Sequence, residues 1–375
     1  MSSRKLGFFA GNSGKLWLVQ VLRAFAALLV VVHHAQHEAM LTAARTGAAF
    51  TPSGLLPWPA GVDIFFVISG FIIVHAAGPL YGTRGGRARF LAHRVARLVP
   101  LYWLVTALYL GLALALPGTL SGEGGGGARD PAILIGSFLF WPVARPDGTV
   151  LPLYGLGWTL EYEMLFYALF ALGLGWSRAA AAGFTVLILG LLVGAGLLAG
   201  RLPMPLAFWA NPIVLEFVFG MALALIRTRG LRLPDPMRWA LALAGLLLLA
   251  RAGDPSDAAR PILWGGPAAL LVAAAALGRP RGGEGGPSLG IRVAALLGDA
   301  SYALYLVHPF ALRLTREFLL RLGLAGALGP WGALVLMVAA TLPAAIAVHL
   351  LIERPLTALA RRRLDPQPEA EPPKS

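Results

Sequence analysis

Apolar residues along this chain neither alternate nor recur every three or four positions. They run together in blocks of about 20, separated by short stretches rich in Arg, Gly and Pro. A helix needs about that many mostly apolar residues to cross a bilayer core. The blocks predict spans near 17–36, 58–77, 98–117, 156–176, 180–199, 206–226, 238–252, 261–277, 293–312 and 331–352. An eleventh apolar stretch, 132–143, has only 12 residues and is flanked by Pro131 and Pro142. That length suits a re-entrant or interfacial segment better than a span. The expectation is an all-α fold, a polytopic transmembrane helix bundle of about ten spans.

Charge placement tests the count. With 132–143 left out and the N-terminus inside, 21 Lys and Arg fall on the inner side and 9 on the outer, with Arg23 within the first span. Counting 132–143 as a span flips everything after it and levels the tally at 15 against 15. Basic loops stay cytoplasmic, so the pattern selects ten spans with both termini cytoplasmic. Composition agrees: of 375 residues, 57% are apolar and only 13% charged, against roughly 25% charged in an average soluble domain. That excludes an ordinary soluble enzyme and a disordered chain. A net charge of +13 would suit nucleic acid, but the arginines sit in short loops between apolar runs, where orientation signals belong, and no nucleic-acid partner is expected. The absence of cysteine excludes disulfides, thiolate metal sites and a cysteine nucleophile.

The first block follows basic residues, as a signal peptide does. It is closed by His33, His34, His37 and Glu38 with no small-residue cleavage pattern ahead of them, so it reads as a retained helix. Residues 1–364 read as one membrane domain and 365–375, rich in Pro and Glu, as a disordered cytoplasmic tail; 122–127 and 282–286 are glycine-rich loops. Gly14-Lys15 is followed by Leu16 and lacks the earlier glycine of a P-loop. No internal repeat of the kind that marks many secondary transporters is visible.

Ionisable groups inside apolar blocks are costly and usually functional. Arg23 and His34 are 11 residues apart, about three turns plus 20°, which places them on one helical face some 16 Å apart. The second block opens Gly61-Val62-Asp63-Ile64-Phe65-Phe66-Val67-Ile68-Ser69-Gly70-Phe71, where Ser69-Gly70 offers a patch for close helix approach. The plain alternative for Asp63 is a helix-start carboxylate favoured by the macrodipole. Arg94 and Arg97 share a face at the cytoplasmic boundary. They could grip phosphates bidentately, or serve as orientation charges or anionic-lipid contacts. Glu161 and Glu163 lie about 200° apart on a helix, so at most one should face the interior. His308 falls towards the outer half of the ninth block, and Glu353 is expected to pair with a nearby arginine. This gathers His34, Asp63, Glu163 and His308 on the outer side, with Arg23, Arg94 and Arg97 towards the inner. A cytoplasmic phosphate-bearing donor serving a base near the outer surface would use that layout, and so would a proton-coupled carrier.

Taken in order, these blocks resemble the acyltransferase 3 family of integral membrane proteins, which acylate hydroxyls on cell-surface carbohydrates. The resemblance covers nearly the whole chain. It rests on Arg23 with His34 after ten intervening residues, on Gly61 to Phe66 through Ser69-Gly70-Phe71, and on Arg94-Val95-Ala96-Arg97-Leu98-Val99-Pro100. Trp158-Thr159-Leu160 with Glu163 and Phe166-Tyr167 follows, then Ser301-Tyr302 with Tyr305-Leu306 and His308, and Glu353-Arg354-Pro355. Gln20 to Ala24, Trp158 to Met164 and Leu215 to Met221 look most like the exopolysaccharide-production branch. Many relatives carry two adjacent carboxylates in the fourth block, whereas Met164 follows Glu163 here.

The resemblance implies a multi-pass protein of the bacterial inner membrane with acetyl-CoA, or another acyl-CoA, as donor. The acceptor would be an exopolysaccharide or lipid-linked repeat unit, in association with polysaccharide-synthesis machinery and without a metal. On that basis His34 deprotonates the acceptor hydroxyl, with Asp63 or Glu163 orienting the imidazole. Arg23 steadies the thioester oxygen or a donor phosphate, Arg94 and Arg97 hold the CoA phosphates, and Trp158, Tyr302, Tyr305 and His308 meet the acceptor. Direct transfer, an acyl-His and an acyl-Ser intermediate all remain open. A transporter of polysaccharide units or small organic acids is the rival class. A metal site of His33, His34, His37 and Glu38 is a third reading, weakened by the roughly 100° between adjacent helical side chains.

Overall fold

The structure is a computed structural model that describes residues 16–116, 127–199, 201–279 and 287–365. The stretch 282–286, residues 122–126 of the other glycine-rich loop, and the tail beyond Asp365 lie outside the described residues. The described residues form helices α1 (Trp17–Thr46), α2 (Gly61–Ala76), α3 (Gly86–Ala115), α4 (Pro131–Leu139) and α5 (Trp158–Gly173). They continue with α6 (Arg178–Leu198), the single turn α7 (Leu206–Trp209), α8 (Leu215–Thr228), α9 (Asp235–Arg251) and α10 (Gly266–Ala276). The chain closes with α11 (Leu289–Asp299), α12 (Ser301–Arg321), α13 (Leu324–Val348) and α14 (Arg354–Leu364). Among the described residues the only β pairing is two isolated bridges, Ala144 with Val150 and Leu233 with Gly278.

Every expected apolar block holds a helix, but length and composition alone qualify fewer as spans. Among the described residues five stretches are long and apolar enough: Trp17–Thr46, Trp58–Ala76, Gly86–Ala115, Arg178–Leu198 and Leu324–Leu364. The α11–α12 pair becomes a sixth if counted as one bent span. The segment 132–143 holds α4, nine residues long, which is too short to cross a bilayer core. Asp130 caps it by accepting from the Ala132 N–H at 2.8 Å, and Pro131 takes the first helical position, where its missing N–H costs nothing.

Three expected helices are interrupted; the block 206–226 breaks at Asn211 (φ −60°, ψ 131°), between α7 and α8. The block 293–312 breaks at Ala300, where α11 and α12 meet at 71°. Gly298, just before the break, packs so closely on Gln20 of α1 that a Cβ would overlap the Gln20 carbonyl. The block 331–352 is preceded by a kink at Gly329 (φ 64°, ψ 172°) followed by Pro330, and it ends in a π-turn over His349–Glu353. Hydropathy is blind to the breaks at Ala300 and Gly329, because apolar character continues through them.

Two helix pairs organise the bundle. Along α1 and α12 the partners rise together: Arg23 with Ser301, His34 with His308, Glu38 with Arg313 and Arg316, Arg45 with Glu317. The two helices therefore run in parallel, with polar pairs filling the seam. α2 and α8 are also parallel, with Phe66 stacked on Phe217 at 4.5 Å. Gly70 and Gly220 let their backbones touch; a Cβ on either would overlap the carbonyl of Phe217 or Val67. Such contact maximises van der Waals packing where lipid offers no hydrophobic gain. Gly70→Ala and Gly220→Ala should each lower the thermal unfolding midpoint of the detergent-solubilised protein, at a cost of about 1–3 kcal/mol. Gly111→Ala, which meets nothing within 4 Å, should leave the midpoint in place.

Candidate functional site

His34, three turns along α1 from Arg23, turns its ring towards α12. Its centroid lies 4.8 Å from that of His308, at an interplanar angle of 62°. His308 is fully buried. In each residue Nδ1 faces the carbonyl one turn back: Val30 O at 2.9 Å and Leu304 O at 3.1 Å. A carbonyl oxygen only accepts, so Nδ1 carries the hydrogen and Nε2 keeps the lone pair in the neutral ring. His308 Nε2 is buried with no hydrogen-bond partner. Where a carboxylate was expected to orient His34, the Val30 carbonyl takes that role at Nδ1.

The carboxylates are committed elsewhere. Asp63 accepts from Arg260 Nε and Nη2, both at 2.9 Å, in a side-on bidentate pair. Glu163 Oε1 accepts from Ser69 Oγ at 2.8 Å and from the Tyr167 hydroxyl. Tyr167 and Arg94 also meet, the Arg94 guanidinium lying 5.9 Å from the ring centroid. Glu163 thus belongs with the arginines rather than beside His34. Glu161 is buried as well, so the expectation that at most one of the two faces inward fails. The reason is that α5 is packed on several sides, by α2, α3 and α6.

Arg23 donates to Ser301 Oγ at 2.8 Å and to Gln20 Oε1 at 3.2 Å. Arg97 lies within electrostatic reach of Arg23, Arg94 and Arg361. Arg94 Nε and Arg361 Nε are both buried without a hydrogen-bond partner. Unpaired guanidinium nitrogens beside like charges form a site that an anion would relieve. Next to them, His349 Nδ1 donates to Glu353 at 2.7 Å and His349 Nε2 accepts from Arg354 Nε at 3.1 Å. Glu353 therefore meets a histidine where an arginine was expected. The hydroxyls of Tyr302 and Tyr305 donate to Leu98 O at 2.6 Å and Leu156 O at 3.0 Å, tying α12 to α3 and to the turn before α5.

A cavity of about 350 Å³ opens beside the Asp63–Arg260 pair, with Trp158, Tyr162, Phe208, Asn211, Asp257 and Arg260 among its walls. The loop that brings Val150 and Leu151 to it is folded on Asp147. The Thr149 hydroxyl and N–H donate to that carboxylate and hold it below the usual carboxylate range. Glu216 of α8 is fully buried beside Asp63 and within electrostatic reach of Arg260. Among the described residues no group of three or more His, Asp or Glu is arranged to hold a metal ion. In the segment suggested for one, Glu38 is already paired with Arg313 and Arg316.

A family profile described as an acyltransferase domain matches residues 18–350. The chain belongs to the acyltransferase 3 family. It is also similar to the exopolysaccharide production protein ExoZ of Rhizobium meliloti (strain 1021), at 33% identity over 338 residues, 86% of this chain and 95% of that one. No solved structure matches significantly. As a family member the chain is a multi-pass membrane acyltransferase, and its chemistry has to be found among the helical side chains just described.

Arg260, Arg361 and His349 are members of this acyltransferase's polar network that the sequence did not single out, and Ser69, read there as a packing residue, is a hydrogen-bond donor. The signal for Arg260 was Asp63 itself, an acid in an apolar block that required a cation; which cation could not be read across 197 residues. Removing one member of a buried ion pair strands the other. Arg260→Ala should therefore destabilise the protein by about 3–5 kcal/mol, read as a lowered thermal midpoint. The double variant Asp63→Asn/Arg260→Met should recover part of the loss.

Proposed function

We propose that the chain transfers an acyl group, acetyl in the first instance, from cytoplasmic acyl-CoA to a hydroxyl of an extracellular or lipid-linked polysaccharide. In this reading ten helices cross the bacterial inner membrane, both termini are cytoplasmic and the arginine cluster faces the cytoplasm, as the basic loops favour. The observation that carries it is the shared face of α1. Arg23 on that face joins the guanidinium group, and His34 lies about 16 Å further along, beside His308. Membership of an acyltransferase family and likeness to a protein named for exopolysaccharide production support donor and acceptor classes of this kind.

Arg94, Arg97 and Arg361 would bind the donor phosphates as guanidinium forks bind phosphate elsewhere. His34 Nε2, its lone pair fixed by the Nδ1–carbonyl bond, takes the proton of the acceptor hydroxyl as that oxygen attacks the thioester carbonyl. The C–S bond then breaks and the thiolate leaves with a proton as free CoA. Arg23, about 16 Å from His34 and therefore out of reach of the carbonyl under attack, would steady a donor phosphate beside the other arginines. Direct attack needs the reactive end of the donor to reach His34. Otherwise a serine or histidine along the path carries the acyl group, and Ser69, hydrogen-bonded to Glu163, has the chemistry for it.

Radiolabelled acetyl-CoA supplied to membranes with polysaccharide should label the polysaccharide. His34→Ala should reduce that transfer by roughly 10²–10⁴ with protein level and insertion unchanged. Normal transfer by a well-inserted His34→Ala protein overturns the mechanism, and substrate uptake without label transfer overturns the activity. Arg94→Ala/Arg97→Ala should weaken CoA binding about tenfold or more; an unchanged affinity removes the phosphate assignment.

A further inference from the structure

The cavity beside Arg260 combines three features. Its walls carry the aromatic side chains of Trp158, Tyr162 and Phe208. The Tyr162 and Phe208 rings are stacked at 4.2 Å, and the Tyr162 hydroxyl donates to Phe208 O, which fixes the wall. Trp158 meets Tyr162 edge-on at 5.9 Å and is partly exposed. Around this surface sit polar groups with spare capacity. Asn211 Oδ1 is taken by the Ile213 N–H, which leaves the amide N–H₂ to donate. Arg260 uses Nε and Nη2 on Asp63, which leaves Nη1 to donate. Asp257 is exposed and accepts.

A flat apolar wall ringed by spaced donors and acceptors is what a pyranose ring presents in complement, with C–H faces above and below and hydroxyls around the edge. About 350 Å³ suits one or two hexose units. Charge narrows the class further. Arg260 is paired with Asp63 and lies within electrostatic reach of Asp257 as well, so two acids meet one cation and the wall is negative on balance, with Asp257 the exposed carboxylate.

The cavity is also wired to the imidazole pair by short routes. From its wall, Thr159 next to Trp158 lies 3.0 Å from the Tyr305 hydroxyl, and the Tyr305 ring is 6.2 Å from His308. Behind the Arg260 wall, Asp63 shares the first turn of α2 with Gly61, and a Cβ on Gly61 would lie 2.9 Å from Val30 Cγ2. Val30 is the residue whose carbonyl orients His34.

We propose that this cavity is the docking subsite for a neutral hexosyl unit of the acceptor, and that it rejects uronates and other acidic sugars through Asp257. The assignment of an acceptor rests on the acyl-transfer reading; the binding itself does not. Purified full-length protein in nanodiscs, titrated calorimetrically without any acyl donor, supplies the test. Cellotetraose and maltotetraose are the neutral probes, tetragalacturonate the acidic one and phosphocholine the competitor.

At least one neutral probe should bind more tightly than tetragalacturonate. Trp158→Leu should weaken that binding about fivefold to tenfold, while Trp176→Leu, remote from the cavity, should leave it unchanged. Asp257→Asn should narrow the discrimination against tetragalacturonate. Failure of both neutral probes to bind, equal or tighter binding of tetragalacturonate, unchanged binding in Trp158→Leu, or binding of phosphocholine in their place would each overturn the proposal. A protein that binds sugar here but transfers no label keeps the subsite and loses the activity. One that transfers label, with the acceptor KM unchanged in Trp158→Leu and Asp257→Asn, keeps the activity and loses the subsite.

Discussion

Polar groups carried into a bilayer core have to find their partners inside the protein, since lipid offers none. In this bundle that requirement fixes α1 against α12. Arg23–Ser301, His34–His308 and Glu38–Arg316 follow one another along a single seam. A slip of either helix by one turn would unmake all of them together, leaving several buried charges unpaired. The seam therefore sets the height of the imidazole pair and that of Arg23 relative to the arginines on α3 and α14. The contact of α2 with α8 plays the complementary part. It is built chiefly from glycine and aromatic packing, with Asp63 and Glu216 meeting across it, and it holds Asp63 and Ser69 on one element.

Charge is divided along this frame. At one end guanidinium groups crowd together with orphaned nitrogens, an arrangement that is unfavourable alone and favourable around an anion. At the other end two imidazoles are each pinned through Nδ1 to a carbonyl, and Asp63 is held in a bidentate pair with Arg260. Glu163, Ser69 and Tyr167 lie between, linked by hydrogen bonds and in contact with Arg94. The bundle thus keeps its guanidinium cluster apart from its imidazole pair, which suits the proposed transfer between a donor and an acceptor in different compartments.

Much of this was legible in the chain. Apolar blocks located the helices, the 11-residue spacing put Arg23 and His34 on one face, and both do face α12. Ser69-Gly70 marked a real close approach. What stayed hidden was of two kinds. Breaks at Ala300 and Gly329 occur within continuous apolar sequence, where windowed hydropathy carries no information about direction. Pairings such as Asp63 with Arg260 or Glu163 with Ser69 depend on which helices become neighbours, whereas Glu353 with His349 is a local contact four residues apart within the π-turn. A helical wheel treats each helix as having one inner side, and α5 shows the error: packed on several flanks, it buries Glu161 and keeps Glu163 inside as well.

The cavity walls come largely from connecting segments, the 147–151 turn, the Met204 to Asn211 stretch and the 254–260 loop, whereas the imidazoles and most of the arginines sit within long helices. Loops accept exchange and insertion far more readily than packed helices do. On the proposed assignment, the choice of acceptor can change by rewriting this rim while the helix-borne imidazoles and arginines keep their places.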